Sequence, residues 1–469
     1  MLDTTNAPDQ KIASHIEKQR EANHPFPDAK TRQDRLTRAI ALLRENTDPI
    51  CDAVSADFGH RPANVTKLAG IGQSIAALKH NRSHLKKWMK TERVTTEAML
   101  AVIGTSSKII RQPKGVIGNI VPWNYPVFLT FTPLASMFAA GNTAIIKPSE
   151  YTPRYADLLT ELVQKYFDKT ELAVVTGEAD VGAAMSSAPF DHLFFTGSGS
   201  VAKHVMRACA DNLTPVTLEL GGKSPAIVGT DADIEFAARR IMAGKLLNGA
   251  QTCVAPDYVL VEHDKVDDFA NACVAAAQHQ FPRLTEDGDY TSLIHERHFD
   301  RMMELVETSG VDPIWTHPDV EPDKAKRLFP PVLLKNPDLS SSVMQDEIFG
   351  PILPIIGVQN FDAALNFIGE RDHPLSLYYF GNNTAEKERI ENETTAGGIT
   401  INDTILHLSQ DTLPFGGIGP SGMGYYHGKF GFDEFSHIKS VMHASRSKLG
   451  ELHHPPYKSI FKLLLKTRL

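Results

Sequence analysis

Five apolar runs recur about every 25 residues between positions 115 and 220, and no other feature restricts the fold so tightly. They are Gly115-Val-Ile-Gly-Asn-Ile-Val121, Thr143-Ala-Ile-Ile-Lys147, Leu172-Ala-Val-Val-Thr176, His192-Leu-Phe-Phe-Thr196 and Val216-Thr-Leu-Glu-Leu220. Strands that are apolar on both faces belong in a parallel sheet covered by helices, and the spacing suits βαβ crossovers. The expected fold class is therefore α/β, with an open parallel sheet of the nucleotide-binding kind. A second α/β stretch follows Gly221, with Ala226-Ile-Val228, Asp257-Tyr-Val-Leu-Val261 and Pro331-Val-Leu-Leu334 as strand candidates. Ahead of the sheet, Leu36, Ile40 and Leu43 have helical spacing between charged positions, and Asn46-Thr-Asp-Pro49 ends that helix. Between Val94 and Gln112, two β-prone runs flank Gly104-Thr-Ser-Ser107, which predicts a hairpin arm reaching another domain or subunit.

Composition removes several classes of function. Hydrophobic residues at 42% and charged residues at 22% exclude a disordered or coiled-coil chain. The net charge of -8 leaves no global positive field to hold nucleic acid. Met1 to Gln10 has neither the basic start nor the apolar stretch of a signal peptide, so a cytoplasmic location is expected. The most apolar window, Val127 to Ile146, is interrupted by Pro133, Gly141 and Asn142, which argues against a membrane span. Cys51, Cys209, Cys253 and Cys273 have no CxxC spacing, so free thiols are expected and neither disulfides nor a metal site.

At 193 to 202, Leu-Phe-Phe-Thr-Gly-Ser-Gly-Ser-Val-Ala reads as a strand, a Gly197-x-Gly199-x-x-Ala202 turn and a helix start. Such a turn lets backbone approach a pyrophosphate at a helix amino end, although an ordinary tight βα turn has the same look. Two assignments of the ribose contact compete. Glu219 stands about 20 residues on, as the Rossmann pattern asks. Lys147 and Glu150 instead follow the strand at 143 to 146, where open sheets deliver ligand contacts. The charge of Glu150 disfavours an added 2′-phosphate and so favours NAD over NADP.

An isolated cysteine such as Cys253 is ordinarily a small buried hydrophobe. Its company overturns that reading: Pro122-Trp-Asn-Tyr-Pro126, Lys147-Pro-Ser-Glu150, Phe195-Thr-Gly-Ser198, Leu218-Glu-Leu-Gly-Gly-Lys-Ser-Pro225, Gln251-Thr-Cys253, Glu347-Ile-Phe-Gly-Pro351 and Pro414-Phe-Gly-Gly417 stand in one order along the chain. Together they resemble the aldehyde dehydrogenase superfamily. Leu246 to Tyr258, with Tyr426-His-Gly-Lys429 and Phe435-Ser-His437, is similar to its class 3 branch. Asn212 to Pro225 and Gly244-Lys-Leu-Leu-Asn248 look most like the coniferyl aldehyde dehydrogenases of bacteria.

The resemblance implies Cys253 as nucleophile, Glu219 as general base and Asn124 as oxyanion donor. It gives Lys147 and Glu150 to the adenosine ribose, Gly197 and Ser198 to the cofactor turn, and Glu347 and Phe349 to the nicotinamide side. That settles the ribose question against Glu219. The expected reaction is NAD-dependent oxidation of an aldehyde to the acid, with NADP the alternative cofactor, through a thiohemiacetal and a thioester. The aldehyde would be aromatic, such as coniferaldehyde, or medium-chain aliphatic. Trp123, Tyr125 and Phe128 would line an apolar tunnel, unless they simply pack on a core strand. A coenzyme A-acylating enzyme and a non-catalytic protein on the same scaffold are the rival readings. The implied domains are cofactor-binding at 1–93 and 113–219, catalytic at 220–412, and an oligomerisation arm and tail at 94–112 and 413–469, in a homodimer. Lys458, Lys462 and Lys466 form a basic stripe on a short apolar helix, suited to packing in that dimer, to covering the substrate entrance or to touching a membrane surface. Two departures stand out: Ala202 where the family often has glycine, and Gly249-Ala250 before Gln251 where the order Ala-Gly is usual.

Overall fold

The computed structural model describes residues 8–284, 288–447, 451, 454–457, 459, 461 and 465–466. All five apolar runs lie in one six-stranded sheet, ordered Gly422–Met423, Val216–Glu219, His192–Thr196, Val116–Ile120, Thr143–Lys147 and Leu172–Val174. Every pairing is parallel except that of the first strand. A second sheet of seven strands contains Pro225–Val228, Tyr258–Glu262 and Val332–Lys335. It also contains Ile352–Val358, Ser376–Phe380 and Gly398–Ile401, whose runs carry no turn signal strong enough to single them out. The architecture is α/β, as the alternation of runs requires.

The apolar window resolves into a helix, Pro126–Ala140, and the strand Thr143–Lys147. Every residue of that helix is buried. A helix that is hydrophobic all round needs cover on every side, and it packs against Ala29–Glu45, Gln73–Trp88 and Gly428–Glu434. Among the described residues, no helix is long and apolar enough to cross a membrane.

The arm differs from the expected hairpin. Ala98–Val102 is a short helix, because Ala98, Leu100 and Ala101 are strong helix formers and outweigh the single valine. The strand begins at Ser106, and Ser106–Pro113 pairs with Glu92–Val94 on one side and with Ser436–His443 on the other. Residues 413 to 435, expected in the arm and tail, lie elsewhere. Gly422–Met423 is the antiparallel edge of the six-stranded sheet, paired with Leu218 and Glu219. Gly428–Glu434 packs on the buried helix. Of the basic stripe, Lys458 and Lys462 lie outside the described residues, and Lys466 is exposed.

Gly422 has φ +141°, and a methyl there would run into the carbonyl oxygen of Leu218. Gly422→Ala should therefore lower the unfolding free energy by about 2 kcal/mol. An unchanged denaturation midpoint would mean that this edge contributes nothing to the sheet.

Candidate active site

The carboxyl ends of parallel strands are where an open sheet can present side chains to a ligand. Lys147, Thr196 and Glu219 are the last residues of their strands, and Trp123 and Asn124 follow shortly after Val116–Ile120. From the other sheet side, the turn Leu247–Ala250 delivers Cys253 to the same place. The structure brings Cys253, Glu219 and Asn124 together.

The Cys253 thiol donates to Oε1 of Glu219 over 3.4 Å. Glu219 is 1% exposed, its carboxyl lies beside the Thr196 hydroxyl, and its buried Oε2 forms no hydrogen bond among the described residues. Burial pushes its carboxyl up to about 7. The Cys253 thiol is held well above the ordinary thiol range, first by burial and then by the charges of Glu219 and Glu347. At neutral pH the pair is thus a protonated thiol against a carboxyl near its midpoint.

Asn124 donates from Nδ2 to the carbonyl of Gln251 over 3.2 Å, which uses one of its two amide hydrogens. Its own backbone carbonyl accepts from Nη1 of Arg61 at 2.7 Å and from Nδ2 of Asn248 at 3.1 Å. Arg61 is buried against the rings of Phe58 and Tyr125, which lowers its guanidinium to about 10 and still leaves it charged. The Gly249-Ala250 departure sits in three consecutive left-handed residues, Asn248, Gly249 and Ala250, with φ of 56°, 60° and 62°. Left-handed backbone is uncommon for a non-glycine residue such as Ala250. The conformation is held by Gln251, whose side chain bonds the carbonyls of Asn248 and Ser292 and the N–H of Ile294.

Two chambers meet at Cys253 and Glu219. The first, about 360 Å³, is mostly apolar and lined by Tyr125, Phe128, Leu129, Leu247, Ile405 and Tyr426 among others. The second, about 290 Å³, is walled by Trp123, Asn124, Gly197, Ser198, Glu347 and Phe349. Trp123 therefore does not share a tunnel with Tyr125 and Phe128. It lies edge-on to Phe349, with ring centroids 5.5 Å apart, because the chain bends through residues 123–125 and turns the Tyr125 ring away into the other chamber.

The 347–349 segment is clamped. Arg301 donates to the carbonyls of Glu347 and Ile348, Asp257 accepts from the N–H of Ile348 at 2.9 Å, and His298 bonds the carbonyl of Phe349 at 2.9 Å. Phe349 is held at φ +57°. The Glu347 carboxylate lies on Gly221, where any methyl would collide with it, and burial followed by the charge of Asp257 raises it to about 8. Lys147 and Glu150 pair with each other at 2.6 Å. Ser198 caps the helix Gly199–Ala210, and a methyl placed at Gly199 would meet nothing within 4 Å. An open helix amino end beside a lysine-carboxylate pair and a walled apolar-faced chamber fits a dinucleotide. Ala202 is buried, so its added methyl packs in the core beneath that helix. Arg61, His298 and Arg301 act on the site but fall in no motif of the sequence, whereas Asn248 and Asp257 stand inside motifs that assign them no role.

A model of the aldehyde dehydrogenase family matches residues 2–441, and the chain belongs to that family. It is 48% identical to a probable coniferyl aldehyde dehydrogenase of Caulobacter vibrioides over 92% of this chain and 90% of that one. It is 47% identical to a coniferyl aldehyde dehydrogenase of Pseudomonas sp. strain HR199, over 90% and 87%. A substrate-bound structure of Staphylococcus aureus AldH superposes with a TM-score of 0.92 at 38% identity, covering 98% of this chain and 99% of that one. The chain is an oxidoreductase that acts on an aldehyde.

Cys51, Cys209 and Cys273 are buried and Cys253 only partly so. Iodoacetamide should alkylate Cys253 first, as read by peptide mass spectrometry, and its rate should still be climbing at pH 9 because the thiolate forms only above the ordinary range. A rate already level at neutral pH would show a stabilised thiolate instead.

Proposed function

We propose that this chain oxidises an aromatic aldehyde such as coniferaldehyde, or a medium-chain aliphatic one, to the carboxylic acid with NAD. The observation that carries the reading is the Cys253–Glu219 contact at the junction of an apolar chamber and a second one walled by Trp123, Gly197, Ser198, Glu347 and Phe349. The apolar chamber and the names of the bacterial relatives support the aromatic class.

The Sγ–C bond forms as the thiol proton passes to Oε1 of Glu219. The carbonyl oxygen takes up negative charge facing the free amide hydrogen of Asn124, a preorganised donor. A nicotinamide bound in the second chamber supplies the hydride acceptor. Trp123 and Phe349 wall that chamber, and the clamp on 347–349 fixes the wall. Departure of the hydride re-forms the C=O bond and leaves a thioester on Cys253. Once Glu219 has released its proton to solvent, its free Oε2 takes a proton from water, whose oxygen attacks the thioester carbon. The C–Sγ bond then breaks, and the sulfur recovers a proton as the acid leaves. A coenzyme A thiol in the place of water would not need a carboxylate base, and Glu219 supplies one.

Lys147 and Glu150 suit the two hydroxyls of an adenosine ribose, and the Glu150 charge opposes a 2′-phosphate. Replacing Glu150→Gln should narrow the preference for NAD over NADP by about fivefold or more in kcat/KM. A preference that stays the same would place the ribose elsewhere.

Cys253→Ala should abolish oxidation and keep cofactor binding. Glu219→Gln should keep a burst of reduced cofactor but slow the steady state on the order of 100-fold. The wild-type steady state should rise with pH through about 7, as the Glu219 carboxyl loses its proton, and the variant should lack that rise. Unchanged steady-state turnover in Glu219→Gln would remove Glu219 as the base, and turnover only with added coenzyme A would make the enzyme an acylating one.

A further inference from the structure

The apolar chamber runs from the half-buried Cys253 and the buried Glu219 and Tyr426 to a rim where Leu68 is 70% exposed and Leu406 is 52% exposed. Its outer walls hold four polar side chains, and three are engaged. Asp403 is ion-paired with Arg240 at 3.3 Å and accepts from the N–H of Thr404. The Thr404 hydroxyl donates to the carbonyl of Arg240, and that of Ser409 to the carbonyl of Leu406. The fourth, Gln73, is half-buried, and no hydrogen bond reaches its side-chain amide among the described residues.

The backbone puts Gln73 there deliberately. Thr66–Gly72 is a π-helical turn, and Gln73 is the first residue of the α-helix that follows. In a π-helix the bonding runs i→i+5, so residue 73 stacks over residue 68 rather than falling on another face. Leu68, Ala69 and Gln73 consequently line one chamber. Gly72 makes the turn possible, since a methyl there would come within 2.9 Å of the carbonyl oxygen of Lys67, five residues back. Wide helical turns of this kind are rare and recur at functional sites.

We propose that Gln73 is a specificity residue that reads an oxygen substituent, hydroxyl or methoxyl, on the ring of an aromatic aldehyde at the end remote from the aldehyde. This rests on the aldehyde-oxidation reading above. A conjugated substrate is rigid, so an aldehyde held at Cys253 sends the far edge of its ring toward the rim. There the amide oxygen accepts from a phenolic O–H while the amide nitrogen donates to a phenol or ether oxygen. The remaining ring surface meets Phe128, Leu129, Leu247 and Ile405, which give apolar contact without distinguishing substituents.

The test measures kcat/KM of the wild type, Gln73→Leu and Gln73→Glu with coniferaldehyde, 4-hydroxycinnamaldehyde and cinnamaldehyde, which has a bare ring. In Gln73→Leu, the ratio of coniferaldehyde to cinnamaldehyde should fall about tenfold, the worth of one hydrogen bond. Gln73→Glu keeps an acceptor for the phenolic hydroxyl and should restore most of the preference for 4-hydroxycinnamaldehyde. A ratio unmoved by Gln73→Leu, in an enzyme that oxidises all three, overturns the assignment of Gln73 alone. A wild type that oxidises octanal but none of the aromatic aldehydes overturns the aromatic reading and this proposal with it.

Discussion

Everything in the site depends on one carboxylate held out of water. Glu219 ends the strand Val216–Glu219, and an acid at the end of a strand is ordinarily solvated. Here it is flanked by Gly422–Met423, which pairs antiparallel alongside that strand, and touched by the Cys253 loop arriving from the other sheet. Burial without a cationic partner makes the charged form costly, so the carboxyl is moved to about 7 rather than being ion-paired. A salt bridge would have held it ionised and weakened it as a base. Leaving Oε2 unpartnered is consistent with the same need, since a carboxylate that is to take a proton from water requires one oxygen uncommitted.

The surrounding backbone carries strain that only rigid neighbours can maintain. Three successive left-handed residues precede Gln251-Thr252-Cys253, and Phe349 is also left-handed. At the non-glycine positions Asn248, Ala250 and Phe349 such conformations cost about 1 to 3 kcal/mol each and persist where packing and hydrogen bonds over-determine them. The bonds are present at both places: the Gln251 side chain spans Asn248, Ser292 and Ile294, and Arg301, Asp257 and His298 hold 347–349. Two of the donors to Asn124 and its surroundings, Arg61 and Asn248, converge on one carbonyl, which fixes the turn that aims the Asn124 amide.

The strands of the cofactor-side sheet were legible because both their faces are covered, so the runs are short, apolar and evenly spaced. The loops that carry Cys253, Asn124 and Glu347 were legible only through their motifs, since nothing in their hydropathy distinguishes them. The arm misled because Ala98 to Val102 sits beside a turn signal and ends in a β-branched residue, yet its other residues favour a helix. Residues 413 to 435 misled for another reason: pairing Gly422 with Glu219 is a contact between residues some 200 positions apart, and a glycine-rich run has no pattern that announces its partner. Trp123 was placed with Tyr125 on proximity in sequence, and a bend at residues 123–125 that no hydropathy pattern announces sends the two rings to different chambers.

In the proposed reaction, the two-chamber arrangement would let one base serve two proton transfers. During the first, Oε1 of Glu219 already touches the thiol, so the proton travels along an existing contact. The bond to substrate carbon then removes that sulfur from competition, and the carboxyl, no longer next to a titratable thiol, faces the chamber junction with both oxygens. Because Glu219 borders both chambers, it would stay open to water from the second chamber in the proposed reaction while an acyl group filled the apolar one. A base confined to either chamber could perform one of these transfers but would be blocked from the other by substrate or by cofactor. In the proposed reaction, the position of Glu219 at the junction, more than its acidity, would let a single carboxyl group open and close the catalytic cycle.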